Sequence, residues 1–200
     1  MERLFDEELK DLKEKLLRMA GLAEDAIASA IKALKDRDES LIDRVFAHED
    51  KINRLEIEID EICMRLLALR QPMAGDLRFI TTALKVVTDL ERMGDLAVNV
   101  AERAVDLSQS PPSRPFHDLT ELADLSASQL DKALDSFVEK DVKKAEEVIA
   151  GDDLLDALYH RLFNDLLGYM MEDSRVIRRA TSILFAAKQL ERFGDHATNV

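Results

Sequence analysis

Apolar side chains recur along this chain at spacings of three and four residues, with polar side chains between them. In the first segment, residues 4–36, these apolar positions are Leu9, Leu12, Leu16, Met19, Ala23, Ile27, Ile31 and Leu34. Their spacing follows the turn of an α-helix and predicts one long amphipathic helix. A heptad-like alternation from Ile52 to Leu69 predicts a second helix. It should stop at Gln71, because Pro72 disfavours helical geometry in the residue before it.

A third helix is predicted from about Gly75 to about Ser108, and the proline-rich residues 110–115 follow it. The pattern then recurs, with helices expected at about residues 116–139, at 142–171 and from 173 onward. Such long helices joined by short turns must lie antiparallel to one another. The sequence therefore predicts an all-α protein of two tandem antiparallel three-helix bundles. The first bundle is assigned to residues 1–110 and the second to residues 111–200.

The two halves share a polar motif. Residues 90–95 read LERMGD and residues 190–195 read LERFGD, and Asn99 recurs in the same register as Asn199. Identity held at one spacing indicates that the chain is a single unit written twice. By the same repeat, the last helix is expected to continue about ten residues beyond Val200.

Composition and charge narrow the possible functions. Apolar residues make up 46% of the chain and charged residues 34%, while the net charge is −13. That charge argues against nucleic acid and against docking on anionic lipid, because both need clustered cations. The charged N-terminus lacks a signal segment, and no apolar run is long enough to span a bilayer, so we expect a cytoplasmic protein. The single cysteine, Cys63, excludes an intramolecular disulfide and a cysteine-based metal site.

The repeated motif places acids where the core does not need them. On a helical wheel, Glu91 and Asp95 form a stripe one turn apart, well away from the apolar face, and the second half repeats the stripe with Glu191 and Asp195. Two anions at this spacing weaken a helix by a few tenths of a kcal/mol. The glycine within each motif, Gly94 or Gly194, costs roughly 1 kcal/mol more. Folding alone gives no reason to repeat both penalties, so function is expected here.

Two accounts of the acids are open. Neighbouring arginines, Arg92 and Arg192, could neutralise them in an ion-pair network, or the carboxylates could bind a cation while glycine allows a second helix to approach. Hard oxygen ligands suit magnesium, calcium, manganese or iron better than a thiolate-type zinc site. Asp50 and Asp153 occupy matching places in the second helix of each half. They could add ligands, or they could belong to an acidic surface.

Catalysis finds little support in the sequence. The chain contains no Glu-x-x-His pair of the kind that di-iron bundles use, no Gly-x-Ser-x-Gly and no phosphate-binding loop. His196 directly follows Asp195, but the four histidines do not repeat between the halves. A duplicated acid stripe without a nucleophile and base favours binding over turnover, so we expect a protein that is not an enzyme.

The polar motifs resemble those of the PhoU family over essentially the whole chain. In the first half the resemblance rests on Gln71-Pro72, Asp76-Leu77-Arg78, residues 89–95 and Asn99-Val100-Ala101-Glu102. In the second half it rests on residues 190–199, which read LERFGDHATN. The second half departs from the first where Met171-Glu172-Asp173-Ser174 replaces the Gln-Pro turn.

The resemblance implies a cytoplasmic negative regulator of phosphate uptake and of phosphate-starvation signalling. Such a protein would act as an adaptor between the ATPase subunit of the phosphate ABC transporter and its sensor histidine kinase, and it would be a homodimer. It also implies metal clusters of iron, manganese, magnesium or zinc on the acid stripes. The ligands would be Glu91, Asp95, Glu191 and Asp195, with a weaker case for Asp50 and Asp153. A metalloenzyme with a hard-metal cluster and a purely structural scaffold are the alternatives.

Overall fold

The structure is a computed structural model that describes residues 2–108, 114–139 and 141–200. Over those residues the chain forms six α-helices and no strand. They are α1 (Glu2–Asp36), α2 (Ile42–Arg70), α3 (Ala74–Ser108), α4 (Arg114–Glu139), α5 (Val142–Glu172) and α6 (Ile177–Asn199). The predicted all-α class is confirmed. In this described part, no helix is long and apolar enough to cross a membrane.

Short polar connections end the long helices. Arg37 follows α1 with a φ of 57°, and Gln71 follows α2 with a φ of 48°, so both turns use the left-handed region. One 3-10 turn, Ser174–Val176, precedes α6. The helix therefore begins at Ile177, later than the start near residue 173 that the sequence predicts. The side chain of Asp173 stabilises that turn by accepting a hydrogen bond from the Arg175 backbone N–H at 2.9 Å.

Each half of the chain is an antiparallel three-helix bundle. Helices α1, α2 and α3 pack on one another, and α4, α5 and α6 repeat the arrangement. Corresponding core positions are buried in both halves, pairing Leu16 with Leu119, Ile52 with Leu155 and Leu90 with Leu190. The predicted pair of tandem bundles related by an internal repeat is therefore confirmed.

The two bundles share one continuous apolar core, to which all six helices contribute. α3 packs against α6 and α1 packs against α4. Polar contacts cross the same junction: Asp89 Oδ1 lies 2.8 Å from His196 Nδ1 and accepts a hydrogen bond from Asn199 Nδ2 at 3.1 Å. The boundary predicted between residues 110 and 111 lies outside the described residues, so the division into two domains stays a prediction.

Candidate metal centre

Close contact between α5 and α6 positions the second acid stripe. Gly194 lies on α6 between Glu191 and Asp195, and the residue facing it on α5 is the fully buried Leu155. A Cβ added at Gly194 would overlap Leu155 Cδ2 and would lie 2.6 Å from the Oε1 atom of Gln129. The glycine is therefore required by packing, and it lets the acidic residues beside Leu155 reach the stripe on α6.

Three carboxylates meet at this contact. Asp156 of α5 and Glu191 and Asp195 of α6 each place one oxygen within 4.8 Å of the other two. Metal–oxygen bonds of about 2.0 to 2.6 Å allow oxygens this far apart to share one cation. All donors are hard oxygens, the ligand type preferred by magnesium, manganese and calcium and accepted by iron. The residues present therefore fit a divalent metal ion.

The electrostatics of the second stripe also fit a cation. Burial raises the pKa of Asp152, and the nearby charges of Asp156 and Glu191 raise it further. One buried oxygen of the Asp152 carboxyl has no hydrogen-bond partner. Burial likewise raises the pKa of Asp195, with Asp152 adding to the effect. Four crowded acids disfavour their own ionised forms, and a bound cation would remove that penalty.

The first half repeats the stripe with a different set of partners. Burial raises the pKa of Glu91, and the charges of Asp95, Glu56 and Glu49 act in the same direction while that of Arg92 opposes them. Arg92 reaches both stripe acids, with Nε 3.5 Å from Glu91 Oε2 and Nη1 3.4 Å from Asp95 Oδ2. In this half an arginine partly neutralises the stripe. Within the described ranges, the tight three-acid geometry occurs in the second half.

The structure separates the predicted site residues into two groups. Glu91 and Asp95 of α3 lie near further acids of α2, and Glu191 and Asp195 of α6 lie near further acids of α5. Asp50 and Asp153 are exposed and lie outside the tight cluster, and Asp50 Oδ2 is 3.8 Å from Arg54 Nη2.

The neighbouring acids were not singled out from the sequence. They are Glu49 and Glu56 on α2 and Asp152 and Asp156 on α5. The buried residues Ile52 and Leu155 indicate where these acids lie, since residues three before, four after or one after a buried residue lie on its face of the helix or beside it. The register of α2 and α5 set by these two residues favours Glu49 over Asp50 and Asp152 over Asp153 as neighbours of the stripes.

Comparison with known proteins places this geometry in a family. The model of the PhoU domain matches residues 16–104 and again residues 119–200. The phosphate-specific transport system accessory protein PhoU homolog of Aquifex aeolicus is 41% identical over 190 residues, covering 95% of this chain and 86% of that protein. The homolog of the same name from Rhizobium meliloti is 41% identical, covering 98% of this chain and 83% of its own length.

Solved structures agree with the sequence relatives. The crystal structure of PhoU from Pseudomonas aeruginosa has a TM-score of 0.94 at 41% identity, covering 98% of this chain and 94% of that chain. The phosphate transport system regulatory protein PhoU from Streptococcus pneumoniae has a TM-score of 0.88 at 30% identity, covering 98% and 92%. A family model matching both halves, together with full-length relatives at this identity, shows that the chain belongs to the PhoU family.

Proposed function

We propose that this chain is a cytoplasmic, metal-binding negative regulator of phosphate uptake and phosphate-starvation signalling. Its relatives are named as accessory proteins of phosphate-specific transport, and the Streptococcus pneumoniae structure is titled a regulatory protein of phosphate transport. The observation that supports a metal-dependent role is the duplicated acid stripe, whose second copy brings three carboxylate oxygens within 4.8 Å.

The proposed ligands come from two helices in each half. In the second half they are Asp152, Asp156, Glu191 and Asp195; in the first half they are Glu91 and Asp95 with Glu49 and Glu56 nearby. Iron, manganese, magnesium and zinc are the candidate ions. Asp50 and Asp153 stay in the proposal as outer ligands, because they are exposed and next to Glu49 and Asp152.

The proposed mechanism needs no catalytic step. Without cations, the acids of each stripe repel one another and the face of α2–α3 or α5–α6 stays strongly negative. A bound divalent ion changes the charge of that face by two units and links two helices. The ATPase subunit of the phosphate transporter and the sensor histidine kinase are the proposed partners, and their affinity would then depend on metal occupancy.

Partner binding tests this proposal. The purified chain would be immobilised and titrated with the ATPase subunit and with the kinase, first with manganese and then with EDTA. Wild type would be compared with a variant carrying Glu91→Gln, Asp95→Asn, Glu191→Gln and Asp195→Asn. A charge-matched control changes four exposed acids away from the stripes: Asp43→Asn, Glu61→Gln, Asp165→Asn and Glu172→Gln.

We expect metal-dependent binding of both partners by the wild type and by the charge-matched control, and loss of that binding in the stripe variant. Equal partner affinity with and without metal would contradict the proposed regulation. Loss of binding in the control as well would show that net charge, rather than the stripes, recruits the partners.

Self-association belongs to the same proposal. Large apolar side chains are exposed at matching positions of α2 and α5: Phe46 corresponds to Ile149 and Met64 corresponds to Leu167. Exposed apolar positions that recur in both halves are candidates for a contact with a second copy. Sedimentation equilibrium should detect a homodimer; a monomer at every concentration tested would refute this part.

A further inference from the structure

The second acid stripe has a lysine that the first stripe lacks. On α6 the Nζ atom of Lys188 donates hydrogen bonds to Glu191 Oε1 at 2.6 Å and to Oε2 at 2.5 Å. The same ammonium group lies 5.3 Å from the centroid of the Tyr159 ring. At the matching places the first half has Thr88 and Glu56. The first stripe therefore lacks both the lysine and the aromatic ring that supports it.

The acids themselves are matched in number. The first stripe has two carboxylates on α3 and two nearby on α2, and the second has two on α6 and two nearby on α5. An arginine follows the motif glutamate in both halves. Lys188 therefore changes the balance of the second stripe by a full positive charge. The Glu191 side chain is 11% exposed and that of Lys188 is 44% exposed, so the lysine can leave for water while the glutamate stays.

We propose that Lys188 acts as a tethered cation that partly neutralises the second stripe in the metal-free protein and is displaced from Glu191 when a divalent metal binds. This inference rests on the proposed metal function and adds an order to it. A metal entering the second stripe competes with two charge-assisted hydrogen bonds, and such bonds are among the stronger ones in proteins. In the first stripe the competing cation is Arg92, which is 55% exposed and stays 3.4 Å or more from the acids, so this stripe should fill at lower metal concentration.

Manganese titration of isolated stripes tests the inference. Glu91→Gln with Asp95→Asn removes the first stripe and leaves the second to be measured by calorimetry in the otherwise full chain. Adding Lys188→Thr copies the residue of the first half and should tighten manganese binding about tenfold, because the metal no longer has to displace a charge-assisted contact.

A matched control separates displacement from general charge. Arg192→Gln removes the same charge from an exposed side chain one residue after Glu191, and it should tighten binding by much less. The reciprocal change, Thr88→Lys with the second stripe removed by Glu191→Gln and Asp195→Asn, should weaken manganese binding to the first stripe. If Lys188→Thr binds manganese no more tightly than Arg192→Gln, the inference is overturned.

Thermal stability gives a second readout that a merely structural lysine would not reproduce. Without metal, Lys188→Thr should melt at a lower temperature than its parent, because Glu191 keeps its burial and loses its partner. Saturating manganese should close most of that gap, since the metal replaces the lysine. A gap of the same size with and without manganese would contradict displacement.

The outcomes also distinguish this inference from the function on which it rests. If neither the parent nor Lys188→Thr binds manganese, the metal function of the second stripe and the displacement both fail. If both bind manganese with equal affinity, the metal function stands and the role of Lys188 fails.

Discussion

Alanine substitution of the two motif glycines should give unequal effects, although the two sites look identical in sequence. At Gly94 an added Cβ would lie 3.1 Å from Ile52 Cδ1, a contact that a small adjustment can relieve. At Gly194 it would overlap Leu155 Cδ2 and approach Gln129 Oε1 to 2.6 Å. Leu155 is fully buried and Gln129 is 3% exposed, so neither side chain can swing into solvent.

The two substitutions share the same gain in helix propensity, roughly 1 kcal/mol for glycine to alanine in a helix interior. Overpacking a filled core costs about 1 to 3 kcal/mol. We therefore expect Gly94→Ala to leave the free energy of unfolding within about 1 kcal/mol of wild type. Gly194→Ala should lower it by about 1 to 2 kcal/mol relative to Gly94→Ala, because the shared propensity term cancels in that comparison.

Urea denaturation followed by far-ultraviolet circular dichroism measures both variants under metal-free conditions. Leu155→Val removes the overlapping methyl position and should be less damaging in the Gly194→Ala background than in wild type, which is the signature of two residues in direct contact. Gly194→Ala as stable as Gly94→Ala would refute the close approach of α5 to α6 on which the candidate metal centre depends.

Three further predictions concern individual carboxylates. Asp152→Asn should raise the melting temperature of the metal-free protein at pH 7. The pKa of Asp152 in the folded protein is raised above its ordinary 3.8, so its ionised form weakens the fold, and the gain from Asp152→Asn should vanish below pH 3.8. Glu8→Gln should lower the melting temperature at pH 7, because a hydrogen bond from Arg70 lowers the pKa of Glu8 below its ordinary 4.5. That loss should shrink as the pH falls below 4.5, and a pH-independent loss would contradict the assignment. Asp141→Ala should lower the free energy of unfolding measured in urea by about 1 kcal/mol, because the Asp141 carboxylate caps α5 by accepting a hydrogen bond from the backbone N–H of Lys143 at 2.9 Å. As a control, Glu146→Ala removes an exposed acid near the start of the same helix and should lower that free energy by less.

The helical architecture could be predicted because every long helix repeats its apolar positions with helical spacing. Residues such as Leu16 and Leu90 mark core faces that the structure buries completely or almost so. The internal repeat also predicted that the two halves share one arrangement, and the buried pairs confirm it. The start of α6 was less predictable, because Asp173 stabilises a 3-10 turn that has no apolar pattern of its own.

The surroundings of the acid stripes were harder to predict. Periodicity locates the core face of a helix but leaves an uncertainty of one residue, about 100°, at its edges. That uncertainty separates the exposed Asp50 and Asp153 from Glu49 and Asp152, whose charges act on the stripes. Asp156 meets Glu191 because Gly194 admits Leu155, and the pairing of Lys188 with Glu191 depends on side-chain conformation. Neither contact follows from spacing alone.

Metal content of the purified chain tests the central claim most directly. Plasma mass spectrometry after metal-replete purification and desalting would compare wild type with the variant carrying Glu91→Gln, Asp95→Asn, Glu191→Gln and Asp195→Asn. We predict stoichiometric metal in the wild type and its loss in a variant that remains folded by circular dichroism. A wild type without bound metal, or a folded variant that retains the wild-type amount, would contradict the assignment of the acid stripes as metal ligands.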